Sequence, residues 1–147
     1  MNEFLELLKR ELSLEGIELT QHKGFVEIKI NRERLSDIAR RLKELGLDHV
    51  KAVVAVDEME QEKIRVSYIV SSFEKSHALV ALTTEVSRDS PRLESLSLIW
   101  PSAELQEREV YELFGIVFEG HRDLRPLLLD PELANRKVMR RDFKIEI

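Results

Sequence analysis

Three carboxylates, Glu107, Glu109 and Glu112, crowd around Arg108 in the run Leu105-Gln106-Glu107-Arg108-Glu109-Val110-Tyr111-Glu112-Leu113-Phe114-Gly115. Paired carboxylates can carry out acid–base chemistry when their surroundings hold their pKa values apart. A guanidinium beside them lowers a carboxylate's pKa instead of poising it near neutrality, so the sequence favours a structural ion pair over catalysis. The four histidines, His22, His49, His77 and His121, lie far apart, with no helical pair and no cysteine near them. Surface or capping roles suit them better than metal ligation. Ser95 and Ser97 sit in no Gly-x-Ser-x-Gly elbow, and five glycines form no phosphate-binding loop. The complete absence of cysteine excludes disulfides, thiolate metal sites, iron–sulfur ligation and a catalytic thiol. Any redox centre this chain serves must therefore belong to a partner.

The aromatic residues beside the carboxylates describe packing. Tyr111, Phe114 and Phe118 could form a stacking platform, but aromatics at helical spacing more often anchor a core or an interface. Trp100, the single tryptophan, reads as a buried plug between Ile99 and Pro101. The net charge of −5 argues against nucleic acid, whose recognition begins with clustered cations. Arg136, Lys137, Arg140 and Arg141 are the exception, and they suit either a solvated tail or an acidic surface on a neighbour.

These side chains must be positioned by one domain, because 147 residues can bury a single core without staples. Phe4, Leu5, Leu7, Leu8 and Leu12 make an amphipathic helix ending near Gly16. Ile17–Leu19 and Phe25–Ile30 alternate like a hairpin turning at Lys23-Gly24, and Asn31 can cap the element that follows. Leu35, Ile38, Ala39, Leu42 and Leu45 recur at helical spacing before Gly46. Val50–Val56 and Ile64–Val70 are β-branched strands joined by a charged loop from Asp57 to Lys63, which predicts an antiparallel pair. His77–Val86 suits either a helix or a strand, with Thr83-Thr84 favouring strand. Pro91 predicts a short helix through Leu98, and Pro101 breaks the chain before a helix opening near Ser102 and stopping at Gly115. The run Ile116-Val117-Phe118 leaves as an extended segment with too little chain after it to build a second core. The predicted fold is α+β: a mainly antiparallel sheet with helices packed on one face over residues 1–117, then an extended C-terminal docking arm over residues 118–147. That arm is expected to be mobile alone and ordered across a partner.

The segment around Arg108 resembles the signature of the 30-kDa subunit of respiratory NADH:quinone oxidoreductase (complex I), a family that includes counterpart subunits of membrane-bound nickel-iron hydrogenases and related ferredoxin-linked complexes. Glu107, Arg108, Glu109, Tyr111, Phe114, Gly115, Ile116, Phe118, Gly120, His121, Asp123 and Leu124 match it, twelve positions within eighteen residues. Trp100 and Ala103 stand upstream where the family tends to carry Trp and small residues. The sequence departs at Arg122, where the family usually has Pro, at Pro126, where a second Arg is expected, and at Leu105 and Gln106, where a further Trp is common. Arg140-Arg141-Asp142-Phe143 is similar to the family's terminus, with Lys144 in place of Pro. These departures favour a divergent branch.

The resemblance implies a non-catalytic peripheral-arm subunit of a membrane-associated redox complex. It would carry no cofactor of its own and dock on the large subunit that holds nickel-iron or helps form the quinone site, near the small iron–sulfur subunit. Iron–sulfur clusters and nickel-iron would reside in those partners. The expected partner-interface residues are Glu107, Arg108, Glu109, Tyr111, Phe114, Gly115, Phe118, Gly120, His121, Asp123, Arg140 and Arg141, with Arg108 becoming buried on docking beside Glu112 or a partner carboxylate. The acidic amphipathic start Met1–Glu6 does not look like a signal peptide, and no apolar run approaches the roughly 20 residues needed to cross a bilayer. Attachment to the cytoplasmic side of a membrane through partners follows. Abundant charge, 35% of residues, with few Asn and Gln, is a composition common in thermophiles. A complex I subunit proper, a small stand-alone enzyme and a free-standing interaction module remain the alternatives.

Overall fold

The structure, a computed structural model, describes residues 2–12, 16–72, 79–125 and 140. Its elements run α1 (Asn2–Glu11), β1 (Ile17–His22), β2 (Phe25–Ile30), α2 (Leu35–Glu44), β3 (His49–Glu58), β4 (Lys63–Ser71), β5 (Leu79–Ser87), β6 (Arg92–Glu94), α3 (Glu104–Phe114) and β7 (Val117–Glu119). Five strands form one sheet in the order β1-β2-β5-β4-β3, and β6 and β7 form a second, two-stranded sheet. The large sheet is antiparallel except at its centre, where β2 and β5 run parallel with Ile28 opposite Leu82. This is the predicted α+β architecture.

Alternation decides which face of the sheet is buried. Along β4, Ile64, Val66, Tyr68 and Val70 are buried, while Lys63, Arg65, Ser67 and Ile69 between them keep partial exposure. The buried set meets Leu8 and Leu12 near α1, and Leu35, Ile38, Ala39 and Leu42 of α2, in one continuous apolar core. The opposite face carries polar ladders such as Lys29–Glu85 at 3.3 Å and Lys63–Glu85 at 2.8 Å. The two-residue hairpin at Lys23-Gly24 is as predicted, with His22 opposite Phe25 and Gly24 at φ 93°.

Three local expectations are corrected. Asn31 makes no side-chain cap; its backbone carbonyl accepts from Arg34 N in a tight 3-10 turn ahead of α2. The charged loop after β3 is shorter than Asp57–Lys63, because Asp57 and Glu58 stay in the strand. Asp57 is buried there against the Arg88 guanidinium, with 2.5 Å and 2.8 Å bonds that compensate a desolvated carboxylate. The segment after Pro91 is the strand β6 and not a helix. Leu93 pairs with Phe118 across the β6–β7 ladder, Val117 N donates to Pro91 O, and Ser95 N donates to Glu119 O. Burying Leu93 and pairing those amides outweighs a helical preference that depends on local sequence alone. The His77–Val86 segment forms β5 from Leu79 onward, with His77 outside the described residues.

Candidate functional site

Helix α3 carries the signature, and Gly115 ends it in the left-handed conformation at φ 78°, donating to Tyr111 O at 2.9 Å. The chain then reverses through β7 and Gly120. That glycine has φ 83° and open space where a Cβ would sit, so backbone conformation alone demands it. The reversal brings His121 back against the first turn of α3.

Glu107 is the centre of this arrangement and is 0% exposed. Its Oε2 accepts from the Tyr68 hydroxyl at 2.5 Å and from Leu96 N at 2.9 Å, and its Oε1 accepts from Ser95 Oγ at 2.6 Å. His121 Nε2 lies 4.0 Å from Oε1. Burial pushes the Glu107 carboxyl above its usual range, opposed by the Ser95, Tyr68 and Leu96 bonds. Burial and the adjacent Glu107 likewise push the Tyr68 phenol well up. The expectation that Arg108 lowers this carboxyl is overturned. Successive helical side chains point about 100° apart, and Arg108 leaves on another side of α3.

His121 is fixed by two backbone groups. Asp123 N donates to Nδ1 at 3.0 Å, so Nε2 carries the ring proton and donates to Glu104 O at 2.8 Å. The ring is thus a buried brace and not a surface histidine. Arg108, 8% exposed, reaches Asp123 at 3.7 Å and the Arg125 carbonyl at 3.3 Å. Most of its surface is already buried within the chain, ahead of any docking. Arg122 pairs with Glu104 at 3.1 Å, and Arg140 Nε donates to Phe114 O at 2.7 Å.

The expected interface residues therefore divide. Glu107, Phe114 and Phe118 are interior, as is the His121 ring. Glu109, Tyr111 and Asp123 are partly exposed and Gly120 is exposed. Arg141, with Arg136 and Lys137, lies outside the described residues. Within the expected arm, Phe118 is 1% exposed and Leu124 packs, partly buried, against the core. Ile116 and Phe118 need no second core, because both are buried in the domain's own. Trp100 is the buried plug foreseen, with Nε1 donating to Leu47 O at 2.8 Å.

Sequence reasoning does not find Tyr68, Ser95 or the Leu96 amide as partners of Glu107. Tyr68 has one available signal, its place on the apolar side of an alternating strand, where a buried hydroxyl must find a partner. Chemically, Glu107 is a sealed staple: its oxygens are engaged and no solvent reaches it. Elsewhere, a cleft of about 550 Å³ brings Lys29 and Arg32 beside Glu18, Glu33 and Glu85. Its charges pair with one another, Lys29 with Glu85 and Arg32 with Glu33.

Comparison with known proteins agrees with this geometry. The family model described as "Respiratory-chain NADH dehydrogenase, 30 Kd subunit" matches residues 28–146. A subunit of the F(420)H(2) dehydrogenase of Methanosarcina mazei is 30% identical over 116 residues, covering 78% of this chain and 73% of that protein. A subunit of the NADH-quinone oxidoreductase of Moorella thermoacetica is 28% identical over 147 residues, covering 99% and 97%. Among solved structures, a chain of the membrane-bound sulfane sulfur reductase, an archaeal respiratory membrane complex, superposes with a TM-score of 0.86 at 25% identity over 97% of this chain and 86% of that one. A trypsin-resistant fragment of Nqo5 gives a TM-score of 0.69 at 28% identity, covering 84% of this chain and 98% of the fragment. A family-model match over residues 28–146, a range that contains the signature helix, means that this chain belongs to the family of the 30-kDa subunit of respiratory-chain NADH dehydrogenase.

Proposed function

We propose that the chain is a non-catalytic, peripheral subunit of a membrane-bound respiratory complex, docking on and stabilising the large catalytic subunit while electrons pass through its partners, coupled to ion pumping. The observation that carries this reading is the likeness over 97% of the chain to a subunit of an archaeal respiratory membrane complex. The relatives' names differ in electron donor or acceptor, from F(420)H(2) to NADH to sulfane sulfur, while the fold persists. A component shared by complexes with such different substrates does work that does not depend on them, and scaffolding fits. The sealed state of Glu107 supports the same reading, because a carboxyl that meets neither solvent nor substrate cannot turn one over.

No helix among the described residues is long and apolar enough to cross a membrane. Membrane attachment would come through partners, on the cytoplasmic side. Iron–sulfur clusters, and nickel-iron if the complex is of the hydrogenase type, would reside in those partners. The departures at Arg122 and Pro126 favour a hydrogenase-type or ferredoxin-linked complex over a quinone reductase. Affinity purification of the tagged chain from its native membranes tests the proposal. A large and a small iron–sulfur subunit should co-purify stoichiometrically, while the chain made alone should carry neither metal nor flavin. Recovery of a free monomer from native membranes, or of a stoichiometric cofactor in the isolated chain, would overturn it.

A further inference from the structure

Strand β3 is the outer edge of the large sheet, and only part of that edge is blunted. Gln106 of α3 acts there as a short stand-in for a sixth strand: its Oε1 accepts from Val53 N at 2.8 Å and its Nε2 donates to Lys51 O at 3.1 Å. Ser102 Oγ accepts from Val50 N at 2.9 Å. Beyond Val53 these substitutes end. Backbone direction alternates along a strand, so Ala55 points its N–H and C=O outward as Val53 does, and among the described residues neither group of Ala55 finds a partner. On the same stretch Val54 is 45% exposed and Val56 40%, both on the sheet face away from the helices, with Met59 38% exposed just after them. A free edge bearing adjacent β-branched side chains is an adhesive surface that monomeric proteins usually blunt with charge, proline or a bulge.

We propose that the Val54–Val56 edge of β3 receives an extended strand from a neighbouring subunit of the complex. The hydrogen-bonding pattern selects the occupant: an outward N–H and C=O at alternate residues is matched by extended backbone and by no helix. Val54 and Val56 set the side-chain chemistry, calling for apolar or β-branched residues at the incoming strand's alternate positions. The charges that flank this stretch are Lys51 on one side and the Glu58–Arg65 pair on the other, so apolar contact and backbone pairing dominate. The inference rests on the chain being part of such a complex, and α3, by supplying Gln106, fixes where the incoming strand must stop.

Two variants and an exchange measurement test it. Ala55→Pro removes an outward donor, a change an edge strand tolerates, and Val56→Lys places a charge in the apolar contact. Each should leave the isolated chain folded by circular dichroism and weaken retention of the chain in the purified complex by about tenfold or more. The Ala55 amide should exchange rapidly in the isolated chain and become protected in the assembled complex, while the Val53 amide, held by Gln106, is slower in both states. Normal co-purification of both variants, with Ala55 unprotected in the complex, would refute the strand and leave the chain's place in the complex standing. Concentration-dependent protection of Ala55 in the isolated chain would instead make the edge a contact between two copies and would equally overturn the proposal.

Discussion

Glu107 accepts from Tyr68 on β4 and from the adjacent Ser95 hydroxyl and Leu96 amide, so a single carboxyl ties α3 to two other stretches of chain. Glu107→Leu would strand those donors in the interior and should cost about 3 kcal/mol or more, measured by urea unfolding. Glu107→Gln keeps one acceptor and converts the other atom to a donor, which the rotatable Ser95 hydroxyl can accept, and should cost about 1 kcal/mol. The pH dependence has a definite sign. Burial raises the folded carboxyl above its ordinary 4.5, so its contribution to stability is fully present below that value and is lost as pH rises through the folded pKa. The stability difference between wild type and the Gln variant should therefore drift toward the variant from pH 4.5 upward. A drift in the opposite direction would mean that the hydrogen bonds to the ionised form outweigh burial. Arg108 at the next position is legible as a structural charge but not by partner, because Asp123 approaches only after the chain has reversed at Gly120.

At the scale of elements, periodicity exposes what local pattern determines and overlooks what pairing determines. The Leu35–Leu42 helix, the Lys23-Gly24 hairpin and the Gly115 stop follow from spacing and backbone preference, and all three are present. β6 escapes because a three-residue strand has almost no periodicity, and its partner β7 is remote from it in sequence. Tertiary burial of Leu93 against Phe118 settles it. Phe118 is 1% exposed and sits opposite Leu93 where the two short strands pair; Phe118→Ala should cost about 3–5 kcal/mol. Thermal unfolding of the isolated chain measures this. A loss under about 1 kcal/mol would mean that β7 is only loosely attached and that its ordering belongs to the assembly. The same comparison explains why the family signature is legible while its internal roles are not. Motif order is written in the chain, but which signature residues face inward is decided by the turn that carries His121 back to Glu104.

For the molecule as a whole, the parallel pairing of β2 with β5 at the sheet centre has a kinetic consequence. The β1–β2 hairpin and the β3–β4–β5 meander each close over short stretches of chain, whereas β2 meets β5 only by joining Val26 to Val80 and Lys29 to Thr83. Closing so long a loop costs entropy before its contacts repay it. Folding should therefore proceed from two preformed halves to a slower docking along the β2–β5 seam, with Ile28 and Leu82 meeting late. Ile28→Ala and Leu82→Ala should accelerate unfolding more than they slow folding, whereas Val66→Ala, inside the meander, should slow folding in proportion to its cost. Stopped-flow folding and unfolding rates of the three variants test this. During synthesis the amino-terminal hairpin would emerge with a bare apolar face and wait for β5, so this protein would spend its most adhesive moments before any partner can reach it.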